Sequence, residues 1–387
     1  MWRHIASNAL TFFIVLLFLV AGGVSFAAKK YSEAGPLAQA ICLQVDRGST
    51  MRKVTKVLQA QGAVASAAVM RIGADYAEKT NELKAGSFLV PENASMEQIV
   101  DIVTRGGQNT CGTEVVFRIG VTGSDVQVRE LDPATNRFIE VAKFDPSEDE
   151  TPAEYDGVVA DADTRYRLAI AEGVTSWQIV DVMSRLPLLD VDTTDVPAEG
   201  TLAPDSYDFK KETTVSSLLA RMTSAQSQIL AEAWAGRADG LPLASPEEAL
   251  VLASIVEKET GVAAERRQVA SVFVNRLNQG MKLQTDPTVI YGITKGEGVL
   301  GRGLRRSELN RETPWNTYVI PALPPTPIAN PGRASIEAAL DPDSTPFIFF
   351  VADGTGGHAF ATTLADHNRN VQAWRAIEAE RAESDGG

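Results

Sequence analysis

An α+β fold preceded by one membrane-length helix is what this sequence predicts, on three observations. Residues 5–28 carry no formal charge and are mostly apolar. Between residues 40 and 190 a strand-like stretch followed by a hydroxyl-capped amphipathic helix occurs three times. Beyond residue 200, strongly patterned helices are joined to an apolar strand-like run at 347–352. The expected organisation is an N-terminal tip and anchor at 1–30, a small α+β subdomain at 38–190 with a β-rich insertion at about 110–165, a C-terminal α+β domain at 200–376 and a disordered tail at 377–387.

Composition narrows the classes. The 387 residues are 44% hydrophobic and 22% charged, values of an ordinary globular chain, which excludes a disordered, collagen-like or polytopic membrane protein. Lys and Arg number 36 against 50 Asp and Glu, a net charge of −14, so nucleic acid is not an expected partner. Three His and two Cys, without a C-x-x-C pair, leave little for a metal site, and neither metal nor cofactor is expected.

The elements follow in chain order. Residues 5–28 form a helix of about 36 Å, enough to cross a hydrocarbon core of about 30 Å. A cleaved signal peptide is the alternative, because Ser25, Phe26 and Ala27 form a small-x-small site, but the apolar run outlasts a usual signal core. Arg3 before the run and Lys29 and Lys30 after it do not favour an N-in orientation. Either reading exports the body.

The three repeats start at Thr50, Ser95 and Thr175, each an N-cap residue, followed by branched apolar residues three and four apart. Strand-like stretches at 41–45, 87–90 and 166–170 precede them. Short strand, turn and short helix resemble the LysM type of carbohydrate-binding module, although any small α+β domain makes such units. Between the second and third copies, 115–119, 126–131 and 138–141 read as strands. Residues 145–163 then carry eight acidic residues and no Lys or Arg, the pattern of a solvated mobile loop or an acidic docking patch.

Ser245, Pro246 and Glu248 make a helix start with an N-cap, a proline at N1 and an acid at N3. The helix continues to Thr260, where Gly261 can stop it. It is apolar on most sides yet ends in Glu257, Lys258 and Glu259. Glu259 emerges at the edge of the stripe carrying Leu252 and Ile255, while Glu257 points about 200° away, so the two carboxylates cannot act on one bond. A carboxyl against apolar neighbours favours its protonated form, suited to a general acid. The alternative is two solvent-facing acids at a frayed end. A second amphipathic helix spans 265–279, a polar cluster surrounds Gln284, Thr285 and Asp286, and a loop rich in Pro, Asn and Gly at 323–332 is stiff enough to line a cleft. His358 follows the strand-like run, and His367 falls in a last helix.

At these residues the chain resembles the endolytic murein transglycosylases (MltG or YceG-like proteins). The matching stretches are LAPDSY at 202–207, ASIVEKET at 253–260, VASVFVNRL at 269–277, QTDPTVIYG at 284–292, NTY at 316–318, LPP at 323–325, NPG at 330–332 and GGH at 356–358. They keep the family's order across about 200–370; the resemblance is looser over 40–105 and 166–190 and lapses over about 110–165. Ser206 stands where the family usually has Thr. The resemblance implies a C-terminal catalytic domain and a LysM-like subdomain on a single inner-membrane helix, with the body periplasmic. It implies cleavage of the β-1,4 bond between N-acetylmuramic acid and N-acetylglucosamine within peptidoglycan strands, leaving a 1,6-anhydro end and terminating strand elongation. Glu259 is then the catalytic acid. Peptidoglycan, the inner membrane and the peptidoglycan synthases are the expected partners.

Tyr207, Gln284, Thr285, Asp286, Asn316 and Tyr318 are candidates to contact sugar hydroxyls and acetamido groups, or alternatively to brace loops. Asp286 as a second carboxylate would make the enzyme a hydrolase. Glu257 and His358 are supporting candidates. A glycan-binding scaffold without activity, or an assembly factor holding synthases, are the readings from other classes. In an exported body Cys42 and Cys111, each at or beside a strand, are expected to form a disulfide, two buried thiols being the alternative.

Overall fold

The computed structural model describes residues 2–46, 48–105, 111–161 and 164–385. Met1 of the expected tip, residues 47 and 106–110 of the expected subdomain, 162–163 of the insertion and 386–387 of the tail lie outside them. The chain packs into two compact units.

The first unit comprises residues up to Val115 with Gln127–Phe144 and Asp149–Arg165. Helix α1 (Trp2–Ser32) contains an apolar stretch, Thr11–Ser32, long enough to cross a membrane. After it come β1 (Ile41–Val45), α2 (Met51–Ala60), α3 (Ala67–Tyr76), β2 (Gly86–Val90) and α4 (Met96–Thr104). Strands β1 and β2 pair antiparallel, from Ile41 opposite Val90 to Val45 opposite Gly86. The helices cover this pair because their apolar residues recur at helical spacing: Met51, Val54 and Leu58 of α2, Met70 and Ala74 of α3, and Ile99 and Val103 of α4 are buried with Leu43, Val45 and Val90. Cys42 and Cys111 are joined in a disulfide with Cα atoms 5.6 Å apart. It is supported by Cys111 N–H donating to Ser87 O (3.2 Å).

Strands β3 (Thr113–Ile119), β4 (Ser124–Asp132) and β5 (Arg137–Phe144) occupy the expected insertion, and the boundary between units falls inside β3 and β4. The buried Glu114 accepts from Arg129 at 2.7 Å, a charge-assisted bond that offsets burial. The acidic run is not loop throughout: it contains α5 (Ala153–Ala160), whose Tyr155 packs edge-on to Phe144 at 5.2 Å.

The second unit comprises Val116–Val126, Asp145–Glu148 and the chain from Tyr166 onward. The third repeat, β6 (Arg165–Ile170) and α6 (Ser176–Arg185), belongs here and not with the other two copies, which corrects the expected single subdomain at 38–190. Its contacts explain why. Gly173 N–H donates to Asn330 O (2.9 Å), and Thr175 hydroxyl donates to Gly296 O (2.6 Å). The buried Asn330 donates its amide to Val174 O (3.0 Å) and Ser176 Oγ (3.2 Å), and its side-chain oxygen accepts from Leu202 N–H (2.9 Å). The second half of the Pro/Asn/Gly loop thus braces the interior, with residues 328–332 all buried, while Leu323 and residues 325–327 keep exposed surface.

Strand β6 pairs antiparallel with β8 (Ser206–Phe209), and the short β7 (Leu189–Asp190) and β9 (Thr213–Thr214) pair in parallel. The helical body is α7 (Val215–Ala235), α8 (Pro246–Glu259), α9 (Arg266–Asn278), α10 (Asp286–Thr294), α11 (Arg306–Leu309) and α12 (Arg333–Leu340). Its core joins Ala249–Val256 of α8 to Val269, Phe273, Ile336 and Leu340. The apolar run near 350 is a half-buried hairpin, β10 (Phe349–Ala352) with β11 (His358–Ala361), and not a buried single strand. Helix α13 (Leu364–Asp385) covers the described residues of the expected disordered tail, 377–385, correcting that boundary.

Candidate active site

Helix α8 is wrapped by protein because residues 249–256 are all buried. It ends at Glu259 because Thr260 is extended (φ −139°, ψ 127°), one residue earlier than the Gly261 stop expected. Glu259 retains some exposed surface, but its carboxyl is packed closely enough that burial pushes its pKa up, and Asp286 nearby pushes the same way. A hydrogen bond from Thr285 and the charges of His358 and Arg276 oppose the rise. A carboxylate in the last turn also meets the negative end of its own helix.

Thr285 is the N-cap residue of α10 yet makes no side-chain cap bond; its hydroxyl donates to Glu259 Oε1 instead. Three neighbours hold it there. Gln284 takes a left-handed conformation (φ +52°), turning the chain into α10, and donates its N–H to Thr317 O (3.2 Å). Thr285 N–H donates to Thr317 Oγ1 (3.0 Å), and Thr288 hydroxyl donates to Thr285 O (2.8 Å) while meeting Thr317 Oγ1 at 2.9 Å. Both Thr288 and Thr317 are fully buried, so this hydroxyl cluster is fixed by packing. Asp286 is exposed and accepts from Tyr318 hydroxyl at 2.7 Å. Burial and that bond raise the Tyr318 pKa.

Glu259, Thr285, Asp286 and Tyr318 are therefore brought together, with exposed Gln284 beside them. Three other candidates are not part of this edge. Asn316 is fully buried and donates its amide to the carbonyls of Glu308, Leu309 and Arg311, while its side-chain oxygen accepts from Tyr318 N–H; it braces the loop. Tyr207 lies buried on β8 with its hydroxyl donating to Ala203 O (2.8 Å), its pKa pushed up to about 12 by burial. Glu257 faces another element: it accepts from Gly332 N–H (2.9 Å) at the start of α12.

Arg276, Glu265 and Thr317 were not singled out from the sequence. Arg276 falls on the buried stripe of α9 with Val269, Val272 and Phe273, the signal that marks it. It donates to Leu283 O (2.6 Å) and Ile348 O (2.7 Å) and is electrostatically coupled to Glu259. Glu265 accepts from His358 twice, from N–H (3.1 Å) and at Nδ1 (2.9 Å), fixing the ring. Among the described residues no group of three or more His, Cys, Asp or Glu is placed to hold a metal ion.

These elements bring the carboxyls of Glu259 and Asp286 to one edge at the end of a buried helix on an α+β scaffold. The chain belongs to the YceG-like family, whose model matches residues 43–373. It is 36% identical to the endolytic murein transglycosylase of Bacillus subtilis over 48% of this chain and 50% of that protein. It is 26% identical to the endolytic murein transglycosylase of Streptococcus pneumoniae over 95% of this chain and 65% of that one. The chain thus spans between half and two thirds of the length of these curated relatives. A crystal structure of a YceG-like protein from Listeria monocytogenes aligns with TM-score 0.46 and 24% identity, covering 86% of this chain and 99% of that one.

Proposed function

We propose that this protein is a membrane-anchored endolytic lytic transglycosylase that cleaves the β-1,4 bond between N-acetylmuramic acid and N-acetylglucosamine in peptidoglycan, leaving 1,6-anhydro ends and terminating nascent strands. The observation that carries the reading is Glu259, a carboxyl with raised pKa held by Thr285 at an accessible edge. Protonated Glu259 gives its proton to the glycosidic oxygen as the C1–O bond breaks. The substrate's own C6 hydroxyl then bonds to C1 and returns its proton to the Glu259 carboxylate, so water is not consumed. Intramolecular attack supplies the effective concentration that a second carboxylate otherwise provides. Thr285 stabilises the carboxylate stage, and Gln284, Asp286 and Tyr318 present polar groups to the sugars.

Helix α1 supports a single-pass anchor, and the Cys42–Cys111 disulfide supports a body outside the reducing cytoplasm, on the periplasmic side of the inner membrane. Unit 1, with its β1-α2-α3-β2 order, is the LysM-like glycan-binding part, and peptidoglycan synthases are the membrane partners. Digestion of purified sacculi, followed by mass spectrometry of the products, tests the chemistry. Anhydro-muropeptides are the expected products. Reducing ends carrying oxygen from labelled water would make Asp286 a second carboxylate and the enzyme a hydrolase. Binding without cleavage would leave a scaffold.

A further inference from the structure

We propose that α3 is an interfacial helix, lying in the headgroup layer of the bilayer that α1 crosses; this rests on reading α1 as an anchor. Helix α3 carries only Arg71 and Asp75 as charged residues. Its inner side, Met70 and Ala74, is fully buried in the core of the first unit. Its outer side exposes large apolar residues with a single charge, Asp75, among them. Ala68, Ile72 and Tyr76, spaced four apart, face outward, with Ile72 59% and Tyr76 92% exposed. A surface helix in water ordinarily turns a polar stripe outward, whereas here Ile72 and Tyr76 dominate the outward stripe, as on a helix that meets an apolar layer bordered by water.

The position of α3 supplies that layer. Gly73, between the two exposed residues, lies directly under the Tyr31 ring of α1, where an added Cβ would come within 2.3 Å of the ring. Tyr31 is five residues beyond Phe26, about 8 Å along the helix at 1.5 Å per residue. The polar layer on each side of a bilayer is roughly 5–8 Å deep. Lys29 and Lys30 follow the apolar run at the same level, and tyrosine is enriched there. The patch is therefore continuous with the lipid-facing surface of α1, and the lipid interface is its occupant.

Spin labelling of the full chain in phosphatidylglycerol–phosphatidylethanolamine vesicles tests this. The described residues contain no free cysteine, so one added thiol takes the label. Labels at Ile72→Cys and Tyr76→Cys are compared with Phe26→Cys inside the apolar run and Glu140→Cys, exposed on β5. The expected result is greater collision with dissolved oxygen than with a water-soluble nickel complex at 26, 72 and 76, and the reverse at 140. Positions 72 and 76 behaving like 140, while 26 reads lipid, overturns the proposal and leaves the anchor standing. Position 26 reading water overturns the anchor and the proposal together. Labels at 72 and 76 shielded from both reagents, with dipolar broadening, place a second copy on the face and also overturn it.

Discussion

Glutamine at position 259 nearly keeps the shape of the side chain but can neither donate nor recover a proton. Glu259→Gln is therefore expected to lower glycan cleavage by about 10²–10⁴-fold, with the protein still folded. Glu257→Gln keeps an oxygen to accept from Gly332 N–H and is expected to retain most activity. Rates, melts and product masses of the pair check this. A stability prediction follows from the same carboxyl. Its folded pKa is raised above the ordinary 4.5, so its contribution to stability is full below that value and is lost as pH rises through the folded pKa. Glu259→Gln should melt above the wild type at pH 8, and the gap should close near pH 4. Thr285→Val removes a bond that favours the charged form, so the alkaline limb of the rate profile should move to higher pH. The placing of Glu259 at the end of a buried helix was legible, because a charge at the end of an apolar helix is visible as pattern. Asn316 and Tyr207 stayed open between sugar contact and loop bracing because sequence shows that a polar group exists, not whether its hydrogen bonds are already spent on backbone. The direction of the Thr285 hydroxyl, away from its own helix, depends on Thr317, 32 residues on.

Helix starts were the most legible elements, since caps are local chemistry. Thr50, Ser95 and Thr175 each accept from the N–H three residues on, and the last two complete capping boxes with Gln98 and Gln178. Strand stretches also fell near their expected places, yet the sharing of repeats between units did not show, because the third copy is held by Asn330 and Gly296, far along the chain. The clamp on the first unit is the Cys42–Cys111 bridge, which closes a separation of 69 residues between β1 and the start of β3. Its removal by Cys42→Ser with Cys111→Ser should destabilise the fold by up to about 4 kcal/mol in the chain-entropy model. Thermal melts of the double variant against the oxidised wild type check this; equal midpoints would mean that the bridge constrains nothing.

Across the whole molecule, α1 runs unbroken through Ser25, Phe26 and Ala27 to Ser32, with Tyr31 packed into the first unit. The membrane-extracted protein is therefore expected to retain residues 5–28, which N-terminal sequencing can read; a mature chain beginning at Ala28 would contradict it. The division into units was only partly visible in the sequence, because contacts across more than a hundred residues leave no local pattern. Asn330 illustrates the cost of such contacts. Its amide ties down positions 128 to 156 residues earlier, so the entry into α6 and the segment at Leu202 lack these bonds until residue 330 has been made. At roughly 5–20 residues per second of synthesis, that wait is on the order of 8–30 s. In the second half of this window, once residue 259 has been made, the acid-bearing helix exists without its supporting loop, and limited proteolysis of the emerging chain is expected to cut most readily there.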